Sequence, residues 1–159
     1  MRMPRLALYQ PDIPQNAGAL LRLGACLGVG LDVIEPCGFL WDERRMRRAG
    51  MDYAAAAQVE RHSGFAAFEA ARTGGRRRLV LLTTTGEIRL DRFRFRPGDV
   101  IMVGRESAGV PPEVAAAADA RLRIPMRAGL RSLNVALAAT LALGSALAQL
   151  DGFPEEEGP

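Results

Sequence analysis

Val100-Ile101-Met102-Val103-Gly104-Arg105-Glu106-Ser107-Ala108-Gly109-Val110-Pro111 decides the reading of the fold. Four apolar residues run without alternation into a loop bounded by glycines. An apolar run of that kind is a strand covered on both faces, as in a parallel sheet. Glycines in the loop permit positive φ and let another group approach the backbone closely. The plain reading of the loop is an ordinary strand-to-helix turn, with proline opening the next helix. A glutamate between two glycines at the carboxyl end of a strand weights the stretch towards a binding or catalytic role.

The same signature recurs on either side. Residues 5–9, 31–34 and 79–82 are short apolar runs, 121–124 is a further short strand, and 58–61 is a weaker one. Between them the spacing predicts helices. One covers 15–27, with Leu20, Leu21, Leu23, Ala25 and Leu27 supplying apolar surface and Gly28 and Gly30 stopping it. A short, very basic helix covers 41–49 and is closed by Gly50. Ser63 caps a helix reaching about Arg72, and Ser132 caps a long final helix. Strands alternating with helices predict an α/β domain over residues 1–152, with a mostly parallel sheet and helices on both faces. The last residues, 153–159, carry Glu155, Glu156 and Glu157 and are expected to form a flexible acidic tail.

Composition narrows the class. The chain has 159 residues, enough for one core, and 48% hydrophobic with 25% charged residues excludes global disorder. The longest apolar stretch, 133–150, is broken by Asn134, Thr140, Gly144, Ser145 and Gln149, so it reads as a buried helix and not a membrane span. The first residues enter a strand at once, without a signal peptide. Cys26 and Cys37 are too few for a disulfide framework and are expected to pack as small apolar groups, which suits a reducing cytoplasm. Every basic residue except His62 is arginine, and the net charge is +3. That excess points weakly to a polyanionic partner. Arginines cluster at Arg44-Arg45, Arg47-Arg48, Arg76-Arg77-Arg78 and Arg89, Arg92, Arg94, Arg96, a density suited to phosphates, with Phe39, Trp41 and Tyr53 near enough in sequence to stack on bases. Such runs are more commonly solvated faces, and Trp41 is expected in the core.

Two further stretches carry chemistry-bearing residues. Asn16-Ala17-Gly18, followed by Arg22, opens the first helix at a strand-to-helix junction. Asn16 both donates and accepts hydrogen bonds. By itself it reads as an N-cap with a surface arginine behind it. Ile124-Pro125-Met126 leads through a loop to Arg131-Ser132-Leu133-Asn134, where a polar Ser-x-Asn opens a helix otherwise built of Ala and Leu. Capping explains Ser132; Asn134 in the first turn costs roughly 0.5 kcal/mol of helix propensity relative to Ala. Nicotinamide-binding glycine spacing and a Walker A loop are absent, and no metal-ligand spacing is present. His62 has no nucleophile context and reads as a surface or capping residue.

Taken together, these motifs resemble the SpoU-type methyltransferases of the knotted SPOUT superfamily, and within it the tRNA wobble-nucleotide 2′-O-methyltransferases of the TrmL or YibK group. The resembling stretches are Leu8-Tyr9-Gln10-Pro11-Asp12-Ile13-Pro14-Gln15-Asn16-Ala17-Gly18, Ile34-Glu35-Pro36-Cys37-Gly38-Phe39, Arg47-Arg48-Ala49-Gly50-Met51-Asp52-Tyr53, Leu82-Thr83-Thr84, the loop 104–110 and the segment 124–134. The likeness covers residues 6 to about 150. It implies a C-terminal trefoil knot, S-adenosylmethionine as methyl donor with no metal, tRNA as substrate (a leucine tRNA wobble cytidine or uridine), and a homodimer packed through its first and last helices. It places the donor against Leu82, Thr83, Gly104, Ile124, Met126, Ser132 and Leu133. It gives the catalytic roles to Arg22, Asn16, Glu106, Ser132 and Asn134, with Arg22 acting on the ribose hydroxyl. Ribosomal RNA methylation and donor binding without catalysis are the competing expectations. One departure stands out: the family commonly has Gly-Pro-Glu where this chain has Gly104-Arg105-Glu106, and a looser turn is expected there.

Overall fold

A computed structural model of the chain describes residues 1–42, 44 and 56–158. The predicted helix at 41–49, the arginines Arg45, Arg47 and Arg48, the stretch 47–53 and Tyr53 lie outside the described residues, apart from Trp41, Asp42 and Arg44. The elements in chain order are β1 (Arg5–Tyr9), α1 (Pro14–Leu27), β2 (Gly30–Ile34), β3 (Val59–His62), α2 (Phe65–Gly74), β4 (Leu79–Leu82), β5 (Ile88–Arg89), β6 (Val100–Val103), α3 (Pro112–Ala117), β7 (Ala120–Arg123) and α4 (Val135–Leu150). A single 3-10 turn spans Leu90–Arg92.

The seven strands form one sheet in the order β3-β2-β1-β6-β4-β7-β5, and every pairing is parallel. The period-2 alternation of strand side chains divides the core into two layers. Leu6, Leu8, Leu31, Val80, Ile101, Val103 and Leu122 meet α1 and α4, while Ala7, Tyr9, Leu79, Leu81, Val100 and Met102 meet Phe68 of α2 and Val114 of α3. Both faces are therefore covered, which is why β4 and β6 read as unbroken apolar runs. The chain lays β1 to β3 outward in one direction and then crosses back to place β4 and β7 on the other side, with β6 between β1 and β4. β7 lies beyond β4, yet α4, which follows it, packs on α1 and β6. The chain thus doubles back over the sheet just before its last helix.

Several local expectations are corrected. α1 begins at Pro14, a residue with no N–H to satisfy and φ preset for a helix, so Asn16 sits inside the first turn and does not cap it. Gly28 ends the helix in the left-handed conformation, at φ 66°. α4 is capped by Asn134 and not by Ser132: the Asn134 side-chain oxygen accepts from the Ala136 N–H at 2.9 Å and the Leu137 N–H at 3.3 Å. α2 starts after Gly64, without a side-chain cap from Ser63. Of the two thiols, Cys37 is half-buried and Cys26 exposed, so packing describes only the first.

Charged groups the sequence placed on the surface are built into the frame. His62 is buried, its Nε2 2.8 Å from Asp32 Oδ1 and its ring edge-on to Phe68. The sequence could not anticipate this, because the partner comes from another strand. Arg78 donates to both oxygens of Asp99 (2.9 and 2.6 Å) and lies over the Phe93 ring, and Asp99 also accepts from the Arg96 N–H. Arg77 donates to the carbonyls of Met3 and Gly98. These arginines of the 76–78 cluster hold chain segments together, while Arg92, Arg94 and Arg96 remain exposed. Asp99 is only 1% exposed, so removing its carboxylate leaves donors of Arg78 and Arg96 unpaired. Asp99→Ala is expected to cost about 3 kcal/mol, read as a lower urea midpoint at unchanged m value, with Asp99→Asn costing less.

Candidate active site

The carboxyl ends of β4, β6 and β7 open onto a cleft of about 470 Å³, within the range of about 300–1,000 Å³ usual for small-molecule sites. It lies at the carboxyl edge of the sheet, the side on which open parallel sheets place their ligands. Three chain segments build it. The turn after β4 contributes Leu82, Thr83, Thr84 and Thr85; the loop after β6 contributes residues 104–106 and 108–110; the end of β7 and the segment leading into α4 contribute Leu122, Ile124, Met126, Ser132, Leu133 and Val135. All seven residues that the resemblance placed against a methyl donor, Leu82, Thr83, Gly104, Ile124, Met126, Ser132 and Leu133, line this one cleft.

Backbone packing shapes it. The Thr83 N–H donates to the Leu122 carbonyl at 2.9 Å, locking the first segment to the third. Gly104 lies so near Gly109 that a Cβ on it would stand 2.7 Å from the Gly109 carbonyl carbon, so only glycine fits. The loop between them is not loosened by the arginine. Arg105 and Gly109 exchange backbone hydrogen bonds of 3.0 and 2.8 Å, and Arg105 Nε donates to the Gly109 carbonyl at 3.1 Å. A proline at position 105 would lack the N–H for the first of these bonds, so this chain closes the turn by hydrogen bonding.

A polar chain borders the cleft. Asn16 Nδ2 donates to Glu106 Oε1 at 3.3 Å, and Asn134 Nδ2 donates to Asn16 Oδ1 at 3.1 Å. The Asp12 N–H donates to Glu106 Oε2 at 3.0 Å, the Glu106 N–H returns to Asp12 Oδ1 at 3.2 Å, and the Ser107 hydroxyl donates to Asp12. Four of the five expected catalytic residues thus gather here: Asn16, Glu106 and Asn134 in direct contact, and Ser132 on the cleft wall. Arg22 stands apart. It is exposed on α1, six residues beyond Asn16, which is about 9 Å along the axis and roughly 120° around it. Asp12 was missed in the sequence, although an aspartate in a proline-rich strand-to-helix turn is a sound candidate for side-chain-to-backbone bonding.

Burial holds the Glu106 carboxyl above the ordinary glutamate range, and the Asp12 carboxylate beside it pushes in the same direction. Asp12 is correspondingly lowered, chiefly through its hydrogen bond with Glu106 and then that with Ser107. The pair therefore favours a single shared proton, carried on the glutamate side.

Elsewhere, Asp32, Glu60 and His62 bring ligand atoms within 4.8 Å of one another. Arg5 already donates to Asp32 at 2.7 Å and stands 3.9 Å from Glu60, so this cluster carries its own cation.

The fold and cleft define a class: a parallel α/β protein with a cleft at the carboxyl ends of β4, β6 and β7. Residues 3–144 match the model of the SpoU rRNA Methylase family, and the chain belongs to that family. It is 56% identical over 145 residues, 91% of each chain, to a tRNA (cytidine(34)-2′-O)-methyltransferase of Beijerinckia indica. It is 40% identical to the enzyme of that name from Escherichia coli K12, over 96% of each chain. A solved structure concerned with the 2-OH methylation of C/U34 on tRNA superposes with a TM-score of 0.88 at 44% identity, covering 95% of this chain and 98% of the other. The SpoU methyltransferase AviRb of Streptomyces viridochromogenes, solved with AdoMet, superposes at 0.82 with 25% identity, covering 96% of this chain and 59% of that one.

The carboxyl pair makes a pH-dependent prediction. Because the folded state raises Glu106, the stabilisation from its protonated form is complete below the ordinary glutamate range and is lost as pH rises through the raised value. The Asp12 contribution runs the other way, present above its ordinary value and lost as pH falls through the lowered one. Glu106→Gln removes the first titration, so its melting temperature should gain on the wild type as pH rises through the Glu106 titration. Parallel melting curves across that span would contradict the shared proton.

Proposed function

We propose that this chain transfers a methyl group from S-adenosylmethionine to the ribose 2′-hydroxyl of the wobble cytidine or uridine of tRNA. The observation that carries the reading is the convergence of Asn16, Glu106 and Asn134, remote in sequence, on the border of a cleft lined by both apolar and polar residues. The identity of 40–56% to enzymes named for cytidine 34 2′-O-methylation supports the same substrate atom. Leucine tRNAs are the proposed acceptors. The cleft suits the donor: Thr83 and Ser132 offer hydroxyls, and Leu82, Ile124, Met126 and Leu133 offer apolar walls for an adenosine.

The donor supplies an electrophilic methyl on sulfur, which passes to oxygen as the carbon–sulfur bond breaks. The chain's task is to hold the hydroxyl oxygen about 3 Å from that carbon, in line with sulfur, and to favour loss of its proton. Asn16, fixed by Glu106 and Asn134, and Ser132 on the wall orient the ribose. Arg22 keeps its proton at any ordinary pH, so its role is to orient the hydroxyl or a neighbouring phosphate and stabilise the developing alkoxide. Its place on α1 beyond Asn16 suits reaching a ribose or phosphate of an RNA laid across the helix, with the target hydroxyl at the mouth of the cleft.

The molecule works as a homodimer in the cytoplasm, its last residues free as an acidic tail and its C-terminal segment threaded as a trefoil knot. The doubling back of the chain before α4 supports the knot. Leu137 and Leu141, 60% and 51% exposed and one helical turn apart on α4, support the dimer face. Arg127 and Arg131, exposed in the loop leading to α4, lie on the approach to the cleft and suit an RNA backbone.

Incubating total tRNA with the purified protein and donor, then mapping the modified nucleotide by mass spectrometry, should find 2′-O-methylcytidine or 2′-O-methyluridine at the wobble position. A methyl on a base atom would reject the assignment. Arg22→Ala is expected to slow single-turnover transfer by at least 100-fold while donor affinity by calorimetry stays within about twofold, and Arg22→Lys should rescue little. Leu141→Arg is expected to convert the dimer to monomer in sedimentation.

A further inference from the structure

The cleft holds one cationic side chain among its described lining residues, Arg105. Its guanidinium lies 5.6 Å from the centroid of the buried Tyr9 ring, and its Nε is tied to the Gly109 carbonyl. Two anchors fix the plane of the fork, a cation–π contact beneath and a hydrogen bond at one corner. Both terminal nitrogens remain to donate, and no carboxylate stands within ion-pair distance of the group among the described residues. A guanidinium held in this way presents parallel N–H donors to a planar or tetrahedral oxyanion.

We infer that Arg105 binds a backbone phosphate of the RNA beside the target ribose, an assignment that rests on the acceptor reading above. Three observations favour phosphate over the carboxylate of the methyl donor. Arg105 lies at the rim, next to the exposed residues Ser107, Ala108 and Gly109, where an incoming strand first meets the protein. The adjoining Glu106 turns its carboxyl towards Asn16 and Asp12, so this loop borders the acceptor side. The donor carries a sulfonium and an ammonium against one carboxylate and is cationic overall, which disfavours an added cation beside it, whereas every RNA linkage is anionic. Arg105 therefore replaces a turn-setting proline with a residue that closes the same turn and adds a phosphate contact. It is a substrate-binding residue that fixes the register of the ribose next to Asn16 and Asn134.

The test measures binding of a tRNA transcript to the full-length protein saturated with S-adenosylhomocysteine, across about 50–200 mM salt, for wild type, Arg105→Gln and Arg105→Lys. Loss of one phosphate contact should make the slope of log affinity against log salt shallower by about 1 in Arg105→Gln, with RNA binding at the lowest salt about five- to tenfold weaker. Arg105→Lys should keep the wild-type slope, because the charge remains. Calorimetric affinity for S-adenosylmethionine should stay within about twofold in both variants. A wild-type slope in Arg105→Gln overturns the proposal, as does a fall of tenfold or more in donor affinity, which would make Arg105 a carboxylate ligand of the donor. Equal weakening in both variants with unchanged slopes would assign it a structural role in the loop and also overturn it. A slope change in Arg105→Gln together with wild-type protein that transfers no methyl would refute the enzyme reading and leave the phosphate contact standing.

Discussion

A single side-chain amide holds the site together. Asn16 gives its nitrogen to Glu106 and its oxygen to Asn134, joining the first helix to the loop after β6 and to the start of the last helix. The three residues are separated by 90 and 118 positions in the chain. Only a group that both donates and accepts can make this bridge, and an aspartate or a leucine of similar size cannot. The bridge also fixes α4, because the oxygen of Asn134 caps that helix while its nitrogen is held by Asn16. Cleft border and helix cap thus depend on one hydrogen-bonded line.

The parallel sheet makes such a line possible. All seven strands point the same way, so every loop that follows a strand emerges at one edge. β6 sits between β1 and β4, which puts the Gly104–Gly109 loop between the turn that carries Asp12 and the turn that carries Thr83. The two carboxyls, Asp12 and Glu106, are drawn together there. They are reconciled by reciprocal backbone donors and by a shift of the proton towards the more buried partner. The opposite edge of the sheet is occupied by arginine pairs that bind chain to chain, such as Arg5 with Asp32 and Arg78 with Asp99.

Much of this was legible in the chain. β1, β4 and β6 fall at the residues their apolar runs indicated, because strands covered on both faces have nothing to alternate with. β5 escaped notice since two residues, Ile88 and Arg89, carry no period. Ser132 and Asn134 both offer a capping oxygen, and the choice between them is made by Asn16, which local sequence does not contain. His62 and the arginines Arg77 and Arg78 look like surface groups until partners from distant strands are in place. Asp12 was hidden for the same reason: its role is defined by Glu106, 94 residues away.

Three remote segments are proposed to form one donor site. Hydrogen exchange followed by mass spectrometry, with and without S-adenosylhomocysteine, tests it directly. Slowed exchange is expected in residues 82–86, 104–110 and 122–138 together, with little change at the opposite edge of the sheet around Arg5, Asp32 and Arg77. Protection confined to one of the three segments, or concentrated at that opposite edge, would contradict it.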